Sequence, residues 1–90
     1  MANLMTWIIA IILNVIDADT FDVRVERTGG PYSTGINANE RVRMVNREVN
    51  ALRPTFLNPY SQNTLVGTRI YCEIHSRSAT QQLVVTARPA

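Results

Sequence analysis

The sequence predicts a mainly β protein whose single domain, residues 1–90, folds into a small five-stranded barrel. Val, Ile and Thr account for 26 of the 90 residues, and β-branched side chains favour strands. Apolar and polar residues alternate in several short segments, as they do along strands that bury one face. The chain is 46% apolar, which suffices for a core, and its length suits one domain rather than two.

An apolar run predicts the first strand at about residues 4–16. The run reads LMTWIIAIILNVI, and an apolar segment without alternation is typical of a strand that is buried on both faces. It is too short for a membrane-spanning helix, which needs about 20 residues. We therefore expect no membrane partner.

Alternating segments predict four more strands, at about residues 21–26, 41–45, 68–75 and 81–87. In each of them every second residue is apolar and is expected to face the core. The predicted inward residues are Phe21, Val23, Val25, Val42, Met44, Ile70, Cys72, Ile74, Leu83, Val85 and Ala87.

Two long loops and one short helix are predicted between these strands. Residues 27–40 contain three Gly, one Pro and two Asn, which favour a loop, and residues 53–64 form a second irregular stretch. Asn46 can cap a short helix that Pro54 ends. Five strands with a helix between the third and fourth have the element order of the OB-fold, a barrel whose closure removes free sheet edges. Composition alone would also allow a small sandwich or an SH3-like barrel.

The net charge and the scarcity of Cys and His exclude several classes of function. The net charge is only +2, which is weak for a protein that coats DNA. All nine cations are Arg, a residue enriched in interfaces and in phosphate contacts. GC-rich coding and a surface covered by partners both explain this bias. One Cys and one His argue against a disulfide framework and against a zinc or histidine metal centre.

Two segments resemble a known family. Residues 15–23 read VIDADTFDV, which resembles the V-I-D-G-D-T-F-x-V signature of the thermonuclease (staphylococcal-nuclease-like) family. Residues 41–48 read RVRMVNRE and look like that family's R-x-R-L-x-G-I-D-x-P-E stretch. The resemblance implies an OB-fold barrel and calcium-assisted hydrolysis of phosphodiesters. In such chemistry carboxylates hold Ca²⁺, and arginines stabilise the charge that develops on phosphate.

The resemblance carries over only part of the catalytic set. Asp17, Asp19 and Glu48 fall at or beside the metal-binding positions, and Arg43 falls at a phosphate-contacting Arg. Ala51 stands where the family has its general base, and Gln replaces the second catalytic Arg. Each of these losses costs about 10²–10⁴-fold in rate. We therefore expect no enzymatic activity and no cofactor, with Ca²⁺ as the one candidate ion.

The favoured function is a non-catalytic structural module that binds protein partners in an oligomer or larger assembly. A capsid-decorating (cement) or tail component of a virus particle fits a barrel of this size, which predicts a location in the virion or the cytoplasm. The alternatives are a single-stranded nucleic-acid-binding OB module and a divergent Ca²⁺-dependent nuclease. The predicted assembly contacts lie in the long loops, at Pro31, Tyr32, Phe56 and Tyr60. The candidate nucleic-acid-binding residues are Arg41, Arg43, Arg69 and Tyr71, with Trp7 as a further stacking platform.

Overall fold

A computed structural model describes residues 5–45 and 65–90, which form five strands and one turn of 3-10 helix. The 3-10 turn, Ser33–Gly35, lies between the second and third strands. No helix in the described ranges is long and apolar enough to cross a membrane. The strands are β1 (Trp7–Asp17), β2 (Thr20–Gly29), β3 (Asn39–Met44), β4 (Arg69–Arg77) and β5 (Leu83–Pro89).

The sheet closes on itself in the order β1-β2-β3-β5-β4. Neighbouring strands are antiparallel except β3 and β5, which run parallel and pair Val42 with Leu83, Arg43 with Val84, and Met44 with Val85. This closed five-stranded architecture confirms the predicted OB-like β barrel. The predicted helix near residues 46–52 and the predicted loop 53–64 lie outside the described residues, as do Glu48, Phe56 and Tyr60.

Alternation within β2–β5 correctly predicted the core. Nine of the eleven residues expected to face inward are buried, and the other two, Val25 and Ile74, are partly buried against the same cluster. Cys72 is one of the nine. The buried core consists of Ile8, Ala10, Ile12, Phe21, Val23, Val42, Met44, Leu65, Ile70, Cys72, Leu83, Val85 and Ala87.

The prediction that β1 is buried on both faces is wrong. In the first half of the strand only alternate residues are buried, and the residues after Ile12 are exposed. The pairing of β1 with β4 ends at Ile11, and bulges shift the β1–β2 register beyond Ile12. Beyond Ile11, β1 therefore pairs with β2 on one side and has no neighbouring strand among the described residues on the other. Leu13, Val15 and Ile16 are 42%, 39% and 45% exposed, respectively.

The predicted loop at residues 27–40 is too long. β2 continues to Gly29 because Arg27 and Thr28 pair with β1, and β3 already begins at Asn39. Backbone pairing with a neighbouring strand thus overrides the local preference of a Gly-rich segment. The remaining connection, residues 30–38, starts with Gly30 at φ +97°, where an added Cβ would lie 2.7 Å from the backbone of Met5 and of Thr6.

Candidate functional site

The two carboxylates of the β1–β2 turn have different partners. Asp17 Oδ1 accepts a hydrogen bond of 2.8 Å from the backbone N–H of Ala18. Asp19 Oδ1 accepts one of 3.0 Å from the Thr20 hydroxyl, and its Oδ2 lies 3.5 Å from Nε of Arg43. The structure therefore brings Asp19 and Arg43 together. Within residues 5–45 and 65–90, no group of three or more His, Cys, Asp or Glu side chains is placed to hold a metal ion.

Two further candidate phosphate-binding arginines form two-pronged contacts with acids of the same chain. Arg41 donates from Nε to Asp22 Oδ1 at 2.9 Å and from its second nitrogen to Oδ2 at 3.3 Å. Arg69 binds Glu26 in the same way, at 2.7 and 3.3 Å. The hydrogen bonds from Arg69, and then its charge, hold the pKa of Glu26 below its ordinary value. Each of these arginines thus already has a carboxylate partner.

The candidate aromatic residues form a small stacked group on the outside of the barrel. The ring centroids of Trp7 and Tyr71 lie 6.1 Å apart, with 26° between the ring planes. The Arg88 guanidinium carbon lies over the Tyr71 ring, 4.6 Å from its centroid. The Trp7 indole also covers Gly29, since a Cβ built there would lie 2.6 Å from the indole ring. Both aromatic side chains are half-buried.

Strand register places this group in a wider surface. Ile9 of β1 pairs with Arg27 on one side and with Tyr71 on the other, and Tyr71 pairs in turn with Arg88. Because cross-strand partners share a face of a sheet, these four residues form one row across β2, β1, β4 and β5. We call the resulting surface the β1 face. Its centre consists of Trp7, Ile9, Ile11 and Tyr71, and its edges carry Arg24, Arg27 and Arg88, with Glu73 beside Trp7. Arg69, the partner of Ile11 in β4, also lies on this face, and its ion pair with Glu26 joins β4 to β2 across β1.

A buried ion pair that was not predicted from the sequence joins Glu40, near the start of β3, to Arg77, at the end of β4. The Glu40 side chain is 3% exposed and accepts hydrogen bonds of 2.9 Å on each oxygen from Arg77. Glu40 also accepts from the backbone and side chain of Asn37. Burial tends to raise the pKa of Glu40, but the hydrogen bonds from Arg77 and Asn37 outweigh it and the pKa is lowered.

The inward position of Glu40, though not that of Arg77, could have been predicted from the sequence. Alternation along β3 places Glu40 on the same face as Val42 and Met44, so an inward carboxylate was predictable. Arg77 was not, because the register of β4 shifts between Ile74 and Ser76. That shift puts Arg77 opposite the buried Leu83 and hence on the inward side.

A cavity of about 270 Å³ lies beside this ion pair, under the connection between β2 and β3. Ile36, Ile74 and Leu83 supply its apolar wall, and Tyr32 lies at its edge. Tyr32 is 78% exposed and donates its backbone N–H to Thr6 Oγ1 at 3.1 Å. Pro31 is exposed next to it. The two described members of the predicted loop contacts are thus both at the surface.

Comparison with protein-family models, with curated proteins and with solved structures gives no match to this chain. The fold class is therefore assigned from the geometry of the sheet alone, which is a closed, OB-like barrel of five strands. Its described surface offers the β1 face, the paired arginines and the end cavity as candidate sites.

Proposed function

We propose that the protein is a non-catalytic assembly module that binds another protein through the β1 face. The observation that carries this proposal is the composition of that face. Trp, Tyr and Arg are the residues in which binding energy is concentrated at protein interfaces, and here they surround two isoleucines on a sheet surface. Trp7 and Tyr71 are half-buried and in contact with each other, so little side-chain entropy is lost on binding.

The ion pairs of the other arginines support assembly over phosphate chemistry. Arg41, Arg43 and Arg69 each contact a carboxylate, of Asp22, Asp19 and Glu26 respectively. A phosphate that approached any of these arginines would meet the adjacent negative charge. This arrangement disfavours both the nucleic-acid-binding module, for which these arginines were the main candidates, and the divergent nuclease.

The particular assembly that we propose is a virus particle, in which the barrel is a capsid-decorating or tail component. The support is compositional: a chain whose cations are all Arg suits a surface that partners cover. The corresponding location is the virion, or the cytoplasm before assembly. No cofactor takes part in this function.

Light scattering tests the proposal. The purified protein is measured alone and with the particle or complex from which it is isolated, with and without Ca²⁺. We expect the protein to associate with the particle or complex, at a mass well above the 10.1 kDa of one chain, independent of Ca²⁺. A 10.1 kDa monomer that joins no particle, or Ca²⁺-dependent cleavage of DNA, would contradict the proposal.

A matched pair of variants ties the assembly to the β1 face. Ile9→Gln makes the centre of the face polar, whereas Val84→Gln makes the same kind of change on β5, at a residue that pairs with Arg43. Both side chains are half-buried and lie in strands. We expect Ile9→Gln to abolish the assembly at an unchanged fold, and Val84→Gln to leave the assembly intact.

A further inference from the structure

We propose that the β1 face binds a partner segment of alternating apolar and acidic residues. The partner's apolar side chains would cover Ile9 and Ile11, and its Asp or Glu side chains would bind the arginines at the edges. This inference rests on the proposed assembly function, and it names the chemistry of the partner.

The charge of the β1 face favours an acidic partner. Arg27 and Arg88 belong to none of the four ion pairs among the described residues. Arg24 is also outside these pairs, although its charge helps Arg69 to lower the pKa of Glu26. The Arg69 charge is already offset by Glu26. The other acid at this surface, in the part of the chain that the structure describes, is Glu73, which pairs with Trp7 in the register of β1 and β4. The β1 face therefore has an excess of positive charge around an apolar centre, and an acidic partner complements it.

Arg88 is positioned to bind a carboxylate. Its guanidinium carbon is held 4.6 Å from the Tyr71 ring centroid, a cation–π contact that restricts the side chain. A guanidinium stacked on a ring keeps its N–H edge available for two parallel hydrogen bonds to a carboxylate. Arg27 lies in the same cross-strand row, on the opposite side of Ile9 and Tyr71. A partner strand laid along this row would meet a cation at each end.

The packing of the aromatic rings on the β1 face favours a protein segment over single-stranded nucleic acid. Bases bind OB barrels by stacking on open aromatic faces. Here Tyr71 is stacked with Trp7 and covered by Arg88, while Trp7 covers Gly29. The centre of the row is Ile9, which offers neither a ring nor a hydrogen bond to a base. Aliphatic side chains are the better complement to such a surface.

The charges of the β1 face disfavour a two-fold contact with the same face of a second copy of this chain. In a two-fold contact between two β1 faces, the same patch meets itself. Arg24, Arg27 and Arg88 of one copy would then approach those of the other. Within residues 5–45 and 65–90, Glu73 is the one acid of this face that belongs to no ion pair. Like charges placed together in an interface are costly, so the partner is a different surface.

Fluorescence of Trp7 provides the test, because it is the only Trp of the chain and lies in the proposed interface. The probe is a short capped peptide of alternating Glu and Leu, titrated into the full protein. The same peptide with Gln in place of Glu measures the contribution of charge. An oligothymidylate of equal net charge tests the nucleic-acid alternative. We expect saturable changes in Trp7 emission with the Glu–Leu peptide, and clearly weaker binding of the other two probes.

Paired variants locate the contact. Arg27→Gln/Arg88→Gln removes two charges from the edges of the β1 face, and we expect binding of the Glu–Leu peptide to weaken about tenfold. Arg41→Gln/Arg43→Gln removes two charges from β3, outside this face, and binding should not change. Circular dichroism of both variants verifies that the barrel is retained.

Three results would overturn the inference. They are an absence of Glu–Leu binding, equal binding of the Glu–Leu and Gln–Leu peptides, and an undiminished affinity in Arg27→Gln/Arg88→Gln. Tighter binding of the oligothymidylate, lost in the same variant, would reassign the face to nucleic acid. Light scattering of Ile9→Gln distinguishes a wrong partner chemistry from a wrong assembly function. If assembly depends on Ile9 while the peptide does not bind, the function stands and only the partner's chemistry is wrong.

Discussion

Arg77 donates a hydrogen bond of 2.9 Å to each carboxylate oxygen of Glu40, across 37 positions of sequence. The same guanidinium donates to the backbone carbonyls of Gly35 at 3.1 Å and of Gln81 at 3.0 Å. One side chain thereby joins the start of β3, the end of β4, the β2–β3 connection and the β4–β5 turn. We therefore expect this ion pair to hold these four segments together at one end of the barrel.

Replacement of Glu40 should be strongly destabilising. Glu40→Ala leaves Arg77 without its carboxylate in a largely buried site, and breaking such a pair typically costs about 3 kcal/mol. Urea denaturation followed by circular dichroism measures the loss. Asp22→Ala removes an ion pair of the same kind from an exposed site, where the loss should be much smaller. Equal losses in the two variants would contradict a special role for the buried pair.

The same pair predicts a pH dependence of stability. The folded-state pKa of Glu40 lies below its ordinary value of 4.5, so the unfolded chain takes up a proton before the folded one does. The stability contributed by this carboxylate is therefore fully present above the ordinary value and is lost as the pH falls through the folded pKa. We expect the difference in unfolding free energy between wild type and Glu40→Gln to shrink between about pH 7 and about pH 3. A difference that stays constant over this range would contradict the lowered pKa.

The sequence was sufficient to predict the barrel because side-chain alternation depends on local geometry. Val42 and Met44, or Leu83 and Val85, point inward for the same reason in any half-buried strand. The continuous apolar run of β1 gave no such information, because it reads the same whether one face is buried or both. Only the positions of the bulges and the end of pairing with β4 leave Leu13 exposed.

The candidate site was harder to predict because it depends on which strands are neighbours. Trp7, Tyr71 and Arg88 come from three strands, and only the order β1-β4-β5 brings them together. The partners of the candidate arginines were also hidden. Arg69 contacts Glu26 from 43 positions away, and nothing local in either segment indicates this ion pair.

A comparison of glycines tests the close approach at the start of the β2–β3 connection. Gly30 and Gly67 both have positive φ, +97° and +87°, but only at Gly30 does an added Cβ meet neighbouring backbone, at 2.7 Å. Gly67→Ala should cost about 1 kcal/mol from backbone strain alone. Gly30→Ala should cost clearly more, because Met5 or Thr6 must also move. Thermal denaturation of the two variants gives the comparison, and similar losses would show that the chain relaxes at Gly30 without penalty.

The buried thiol offers a chemical test of barrel closure. Burial raises the pKa of Cys72 to about 12, so the reactive thiolate is scarce near neutral pH. We expect negligible reaction with Ellman's reagent in the folded protein, and rapid reaction of one thiol per chain in urea. Rapid modification without urea would show that the barrel opens readily around this residue.

The seam between β3 and β5 has a kinetic consequence. Three residue pairs join these strands in the described ranges, with one further backbone hydrogen bond from Val45 to Val85. Val42 and Leu83, which form the first of these pairs, lie far apart along the chain. Contacts between distant segments form slowly, because loop-closure entropy is lost before the contact is gained. The β1–β4 pairing joins residues that are still farther apart along the chain, such as Ile11 and Arg69. We therefore expect the hairpins to form early and these two long-range pairings to form late, so that the barrel is preceded by open, twisted sheets. Until both pairings form, such sheets present unpaired edges, and this is the stage at which the chain is most prone to aggregate.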